Sequence, residues 1–276
     1  MNAEQAKQAV RSRYGSIAGK EEGCCATDKS CGGSGGTAER ISGQLGYSEE
    51  EMAAVPEGAN LGLGCGNPVA LAGLRAGETV LDLGAGAGFD CFLAAAQVGA
   101  TGRVIGVDMT PQMVAKAREN GRKGRYENVE FRLGEIEQLP VGEAEVDAIM
   151  SNCVINLVPD KYRAFREAFR VLKPGGRLMV SDIVLTGELP TSIKDSVEAY
   201  TGCISGASRR EEYLAAISAA GFEQVSIVGE NTFSADCIVA DPTARAETQG
   251  LSEAEIEEAV AAFVSVRVQA VKPAVA

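Results

Sequence analysis

From Leu74 to about Ala240, short apolar runs alternate with segments whose apolar residues recur every three or four positions. The runs TVLDLG (79–84), RVIGVDM (103–109), VEFRLG (129–134), VDAIMSN (146–152) and RLMVSDIV (177–184) predict buried strands. Between them, GFDCFLAAAQVG (88–99), TPQMVAKARENG (110–121) and DKYRAFREAFRVL (160–172) predict helices, the second with Pro111 at its first position. Lys173-Pro174-Gly175-Gly176 marks the stop before the fifth strand. SRREEYLAAISAAG (208–221) predicts another helix, and FEQVSIVGEN (222–231) and FSADCIVAD (233–241) a closing strand pair. Alternation of this kind predicts an α/β fold, a doubly wound and mostly parallel sheet that binds its ligand at the carboxyl ends of the strands.

The flanks read differently. Residues 3–18 predict a polar helix. TAERISGQLG (37–46) and SEEEMAAV (48–55) predict two short helices, the second opened by a capping box between Ser48 and Glu51. The stretch 56-PEGANLGLGCGNP-68 is turn-rich yet too apolar to float free, which suits a binding loop. LSEAEIEEAVAAFVSV (251–266) predicts a final amphipathic helix. The expected parts are 1–73 (helices and cysteine loops), 74–185 (a cofactor-binding core) and 186–276 (a sheet-completing, substrate-binding region).

Composition narrows the chemistry. With 26 basic and 38 acidic residues the formal charge is −12, and no basic patch stands out, so nucleic acid is a poor partner. No apolar run approaches the ~18 residues that would span a bilayer, and MNAEQAKQAVRSRYG lacks the apolar centre of a signal peptide. A cytoplasmic protein without a membrane partner is therefore expected. The chain has eight cysteines and no histidine. Cytosolic thiols stay mostly reduced, which disfavours a disulfide scaffold. The missing histidine removes imidazole as a general base and excludes any Cys/His zinc site.

The strongest motif is 82-DLGAGAG-88. The first strand ends near Asp82, and Gly84, Gly86 and Gly88 lead straight into a helix. The dinucleotide fingerprint G-x-G-x-x-G would need glycine where Phe89 stands. The spacing D-x-G-x-G-x-G instead resembles that of S-adenosylmethionine (SAM) methyltransferases, whose glycines let the loop approach the cofactor's ribose and methionine. Asp108, ending the second strand, is placed to take both ribose hydroxyls, and Met109 to pack on adenine. After the third strand, Glu135 is placed to accept the adenine amino group and Ile136 to cover the ring. Asn152 ends the fourth strand near the methionine end.

The cysteines fall in distinctive contexts. Cys24, Cys25 and Cys31 lie in 23-GCCATDKSCGG-33, which has no core pattern and no Cys-x-x-Cys zinc pair. Cys65 lies in GLGCGNP, Cys153 in SNCVINL and Cys203 in TGCISGA. Cys91 and Cys237 occupy a helix and an apolar run, where a thiol is ordinarily core.

Together, DLGAGAGFD, SNCVINLVPDK, LKPGGRL, GCISGA and NLGLGCGNP resemble the arsenite SAM methyltransferases, a family of class I, Rossmann-like enzymes, over roughly residues 14–241. The resemblance implies that Cys153 and Cys203 bind a trivalent arsenical. It implies that Cys65 and an N-terminal cysteine, Cys24 or Cys25, share in binding or disulfide steps. It also implies arsenite or a thiol-conjugated arsenical as substrate, and thioredoxin or glutathione as reductant. Two other readings are a quinone-type C-methyltransferase and a SAM-binding metalloid sensor without turnover.

Overall fold

The computed structural model describes residues 2–19, 37–69, 72–188, 206–232 and 260–274. Helix α1 (Ala3–Ala18) opens on a capping box: Asn2 accepts from Gln5 N, and the Gln5 side chain returns the bond to Asn2 N. It is followed by α2 (Thr37–Gln44) and α3 (Glu49–Ala54), the latter capped by Ser48 and Glu51 as expected. The α/β part then runs β1 (Thr79–Leu83), α4 (Phe89–Val98), β2 (Arg103–Asp108), α5 (Pro111–Lys123), β3 (Val129–Leu133), β4 (Val146–Asn152), α6 (Lys161–Val171), β5 (Leu172–Leu185), α7 (Arg210–Ala219), β6 (Glu223–Thr232) and β7 (Phe263–Val271).

The seven strands lie in the order β3-β2-β1-β4-β5-β7-β6. β1 to β5 are parallel, and β7 is antiparallel to both of its neighbours. The order reverses between β1 and β4, where the loops leaving the two carboxyl ends diverge and open a crevice. The expected doubly wound, mostly parallel sheet is the fold found. Val80, Leu81, Val104, Ile105, Ile149 and Met150 are fully buried, as strands covered on both faces require. α4 presses closely on the sheet. A Cβ on Gly106 of β2 would meet Phe131, Ala85 and Cys91 at 2.7–2.9 Å.

Two element assignments change. β5 begins at Leu172 rather than Arg177 and takes in Lys-Pro-Gly-Gly: Gly175 N donates to Lys272 O, and Lys272 N to Gly176 O. More consequentially, residues 263–266 do not continue a helix. They begin β7, between β5 and β6. The period changes from helical to two along FVSVRVQAV, with Val264, Val266, Val268 and Ala270 all buried against the main core, and a β-branched run on this spacing fits a pleated face. The partner of β6 is thus β7. FSADCIVAD and residues 251–259 lie outside the described residues.

β7 supplies a buried face to the central core, so its apolar positions are costly to charge. Val268→Asp should lower unfolding stability by more than about 3 kcal/mol, because it buries an unpaired carboxylate, while Gln269→Asp should cost far less. Urea denaturation of the two variants checks this; equal losses would contradict the strand register.

Candidate active site

At the carboxyl ends of β1, β2 and β4 lies a cleft of about 270 Å³, walled on its outer side by α1 and the 59–65 loop. The glycine loop forms one edge. Gly84, Gly86 and Gly88 all have positive φ, but for different reasons. A Cβ on Gly84 would come within 2.4 Å of Val154, and one on Gly88 within 2.8 Å of Phe92 and Phe131. These two are required by packing. A Cβ on Gly86 would meet nothing within 4 Å, so the loop is bare where it faces the cleft and leaves room for a ligand. Asp108 holds the loop in place: one carboxylate oxygen accepts from Gly86 N (3.0 Å), the other from Thr110 N (2.8 Å). Burial raises its pKa, against those two bonds. Met109 and Ile136 line the same cleft.

Glu135 also lines the cleft, but it is already engaged. Lys7 Nζ sits 2.6 Å from both Glu135 and Glu137, and Arg11 pairs with Glu135. The Lys7 bond is the main cause holding the Glu135 carboxyl below the ordinary range. α1 is thereby fastened across the crevice beside the loop that follows β3. This helix, expected only as polar, carries a salt-bridged cluster and places Tyr14 on the cleft wall.

Asn152 joins this half of the site to the other. Its Nδ2 lies 3.0 Å from Tyr47 Oη, 2.8 Å from Gly66 O and 3.1 Å from Asp90 Oδ2, and its Oδ1 accepts from Cys65 N at 3.0 Å. Tyr47 donates to Asp90 Oδ1 at 2.6 Å. Asp90 and Asp82 are both buried beside the cleft. Burial, opposed by the bonds from Tyr47 and Asn152, pushes the Asp90 carboxyl up to about 6. Burial and the neighbouring Asp90 charge raise Asp82 well above its usual range, while Cys91, expected as core, donates to it at 3.1 Å.

The glycines around Cys65 follow from this packing. Gly64, at φ +119, would put a Cβ 2.8 Å from Asn152 Nδ2, and Gly66 would put one 2.2 Å from Ser181 Oγ. The loop can lie on the ends of β4 and β5 only without side chains at those positions. Ser265 of β7 donates to Cys65 O at 2.7 Å, so the closing strand also pins the loop. Cys65 is buried, with its Sγ 3.8 Å from Ser181 Oγ. Cys153 follows β4 with φ +57, outside the ordinary range for a residue bearing a Cβ, and its N donates to Ser181 O at 2.8 Å. The strand ladder therefore continues one residue past β4 while the chain turns and aims the thiol back toward Cys65.

The Cys65 and Cys153 sulfurs and an oxygen of Asp182 lie within 4.8 Å of one another. Leu157, Ile183, Phe263 and Val10 surround the thiols with apolar walls. Neither cysteine, nor Cys91, is in a disulfide. The structure thus brings together Cys65 and Cys153, and on the adjoining wall Asp82, Gly84, Gly86, Asp108, Met109, Glu135, Ile136 and Asn152. Gly88 is turned into the α4 packing. Cys24, Cys25, Cys31, Cys203 and Cys237 lie outside the described residues. Lys7, Tyr14, Tyr47, Asp90 and Asp182 are site residues that sequence reasoning did not pick. Asp182 carried a signal, a lone acid inside the apolar run of β5.

The fold and this cleft define a class I methyltransferase: residues 74–226 match the methyltransferase domain family. The chain is 50% identical over 230 residues to an arsenite methyltransferase of Halobacterium salinarum, covering 81% of this chain and 59% of that protein. It is 38% identical over 178 residues to one from Aquipseudomonas alcaligenes, covering 62% of this chain and 51% of that one. Among solved structures, an arsenic (III) S-adenosylmethionine methyltransferase from Chlamydomonas reinhardtii superposes with a TM-score of 0.61 at 30% identity, over 84% of this chain and 73% of that one. The chain belongs to the arsenite S-adenosylmethionine methyltransferase family. It spans between half and three fifths of the length of these two curated relatives. Among the described residues, no helix is long and apolar enough to cross a membrane.

The buried Asp182 makes stability depend on pH. It accepts from Asn156 Nδ2 (2.8 Å), Ile183 N (3.0 Å) and Tyr213 Oη (3.1 Å), yet burial still pushes its carboxyl up to about 7. A carboxyl whose pKa is higher folded than unfolded stabilises the fold at low pH, and that contribution is lost as the pH rises through about 7. The loss has a limiting slope of about 1.4 kcal/mol per pH unit. Urea denaturation at pH 5 to 8 should therefore show the wild type losing stability relative to Asp182→Asn as the pH rises. A difference constant across that range would overturn the assignment.

Proposed function

We propose that this chain transfers methyl groups from SAM to trivalent arsenic held by cysteine sulfur, with arsenite and methylarsenite as substrates and arsenic detoxification as the outcome. The observation that carries this reading is the pairing of two thiols in an apolar pocket with a glycine-loop cleft, joined through Asn152.

The residues present suit the cofactor. Gly86 leaves bare backbone beside the cleft, Asp108 offers a carboxylate at its floor for ribose hydroxyls, and Met109 and Ile136 offer apolar surface for a base. Glu135 reaches the adenine amino group while still held by Lys7 and Arg11, since a carboxylate accepts several donors. SAM, when bound, supplies an electrophilic methyl on a positive sulfonium. Asp82 and Asp90 place carboxylates near that charge.

The thiols do the rest. Each displaces a hydroxyl from arsenic, and with Cys203 as the third ligand arsenic is pyramidal, its lone pair opposite the sulfurs. That lone pair carries no proton, so the transfer needs no general base, which accords with a chain that has no histidine. Catalysis is then chiefly alignment. The positive charge passes with the methyl from the sulfonium to arsenic and is spread over both atoms in the transition state, which apolar walls tolerate. Transfer leaves arsenic formally pentavalent. Its reduction by thiols forms a disulfide that thioredoxin or glutathione reopens, with Cys24 or Cys25 as exchange partner. A cytoplasmic location provides those reductants.

Incubating the protein with SAM, arsenite and a thiol reductant should yield methylated arsenic and S-adenosylhomocysteine. Cys153→Ser and Cys203→Ser should each lower the rate at least 100-fold. Arsenite binding without S-adenosylhomocysteine would indicate a sensor, and methylation of a quinone unaffected by either substitution would indicate a C-methyltransferase.

Asp108→Ala should weaken SAM binding at least tenfold while leaving arsenite affinity within about twofold, measured by calorimetry. Unchanged SAM affinity would contradict the cofactor placement.

A further inference from the structure

The thiol pair does not face a wholly apolar floor. Asp182, fully buried in β5, lies beside both sulfurs. Its Oδ1 already accepts two hydrogen bonds, from Asn156 Nδ2 and Ile183 N, whereas among the described residues Oδ2 accepts one, from Tyr213 Oη. A carboxylate oxygen takes two donors, so Oδ2 has room for one more. The adjoining Asn156 Oδ1 is a second buried acceptor, with no donor among the described residues. Buried acceptors are normally satisfied, and here the floor of a thiol pocket is short of hydrogen-bond donors.

We infer that Asp182 is a specificity-determining residue that accepts a hydrogen bond from a hydroxyl retained on arsenic, so that Cys65, Cys153 and Asp182 together form a docking site for a hydroxylated trivalent arsenical. This rests on the reading of the thiols as arsenic ligands. When arsenous acid loads onto the two cysteines, two As–S bonds form and two As–O bonds break. Each departing hydroxyl leaves as water with one thiol proton, and one hydroxyl stays on arsenic. Asp182 Oδ2 holds that hydroxyl and fixes the tilt of the pyramid until a third thiol replaces it, releasing a third water. An arsenical bearing carbon in place of that hydroxyl makes the same two As–S bonds and offers Asp182 nothing. The residue therefore separates oxyacid from organoarsenical without touching the thiol chemistry common to both.

Asp182→Asn is a suitable probe. Its amide oxygen keeps the bonds from Asn156 and Ile183, and its amide nitrogen faces Tyr213, whose hydroxyl accepts as well as donates. The Oδ2 acceptor is thereby replaced by a donor. The comparison is made in full-length Cys203→Ser protein, which holds the arsenical at the two-sulfur stage, with arsenite and phenylarsine oxide as probes and calorimetry as readout. Adding Asp182→Asn should weaken arsenite binding at least tenfold and leave phenylarsine oxide within about twofold. Retained phenylarsine oxide binding also reports an intact pocket. If both ligands weaken equally, or arsenite is unaffected, the inference is overturned. Should Asp182→Asn fail to fold, Tyr213→Phe, which alters the bonding of Oδ2 without removing it, should change the arsenite-to-phenylarsine oxide affinity ratio at least threefold, and an unchanged ratio would overturn it. If neither arsenical binds before Asp182 is altered, the thiol-site reading itself fails.

Discussion

One side-chain amide holds the two halves of the site in register. Asn152 reaches the Cys65 loop through Cys65 N and Gly66 O, and the cofactor side through Asp90 and Tyr47. The thiol loop has no regular structure, so its backbone groups need partners from elsewhere. Asn152 and Ser265 supply them, from the ends of β4 and β7. A thiol positioned in this way stands at a fixed distance from the glycine loop, because Asn152 also terminates the strand next to β1. Methyl transfer needs the acceptor in line with the donor, and misplacement by an ångström is costly. The arrangement places that precision on the ends of hydrogen-bonded strands.

The same network explains why so many acidic groups are tolerated indoors. Asp82, Asp90 and Asp182 are all buried, and a buried carboxylate is expensive unless it is hydrogen-bonded or neutralised. Each has dedicated donors: Cys91 for Asp82, Tyr47 and Asn152 for Asp90, and Asn156, Tyr213 and Ile183 N for Asp182. Burial nonetheless raises all three. A protein selected for stability alone would place aliphatic residues there. Asp82 and Asp90 beside the cleft, and Asp182 beneath the thiols, fit the proposed site, which receives a positive charge on one wall and a hydroxylated ligand on the other.

Much of this was legible in the sequence, because the signals were local. Alternating apolar runs gave the order and bounds of β1 to β4 within a residue or two, and the glycine spacing marked the loop that edges the cleft. The Gly-Cys-Gly context of Cys65 marked a close approach of backbone. What escaped was of two kinds. β7 was hidden because a helical period runs into a strand period within one apolar stretch, and only the gap between β5 and β6 reveals which wins. Tyr47, Asp90 and Asp182 escaped because their roles are set by side-chain partners 26 to 105 residues away, a separation that no window along the chain records. Glu135 lines the cleft, but its ion pairs with α1 depend on a helix that reads, in isolation, only as polar.

The thiol site also clarifies what the absent histidine means. A general base is needed where a nucleophile must shed a proton as it attacks. Arsenic bound by sulfur attacks with a lone pair that has none. The protons in this chemistry belong to the loading step, and they leave with water as hydroxyls are displaced. Around Cys65 and Cys153 the protein accordingly supplies no imidazole. It supplies apolar walls, a strained backbone that aims one sulfur at the other, and a single carboxylate beneath them. In the proposed reaction, chemical work is thus divided between sulfur, which replaces oxygen on arsenic, and geometry, which turns the remaining lone pair toward the donor. Removing a wall should blunt the rate, but removing a sulfur removes the nucleophile's support altogether.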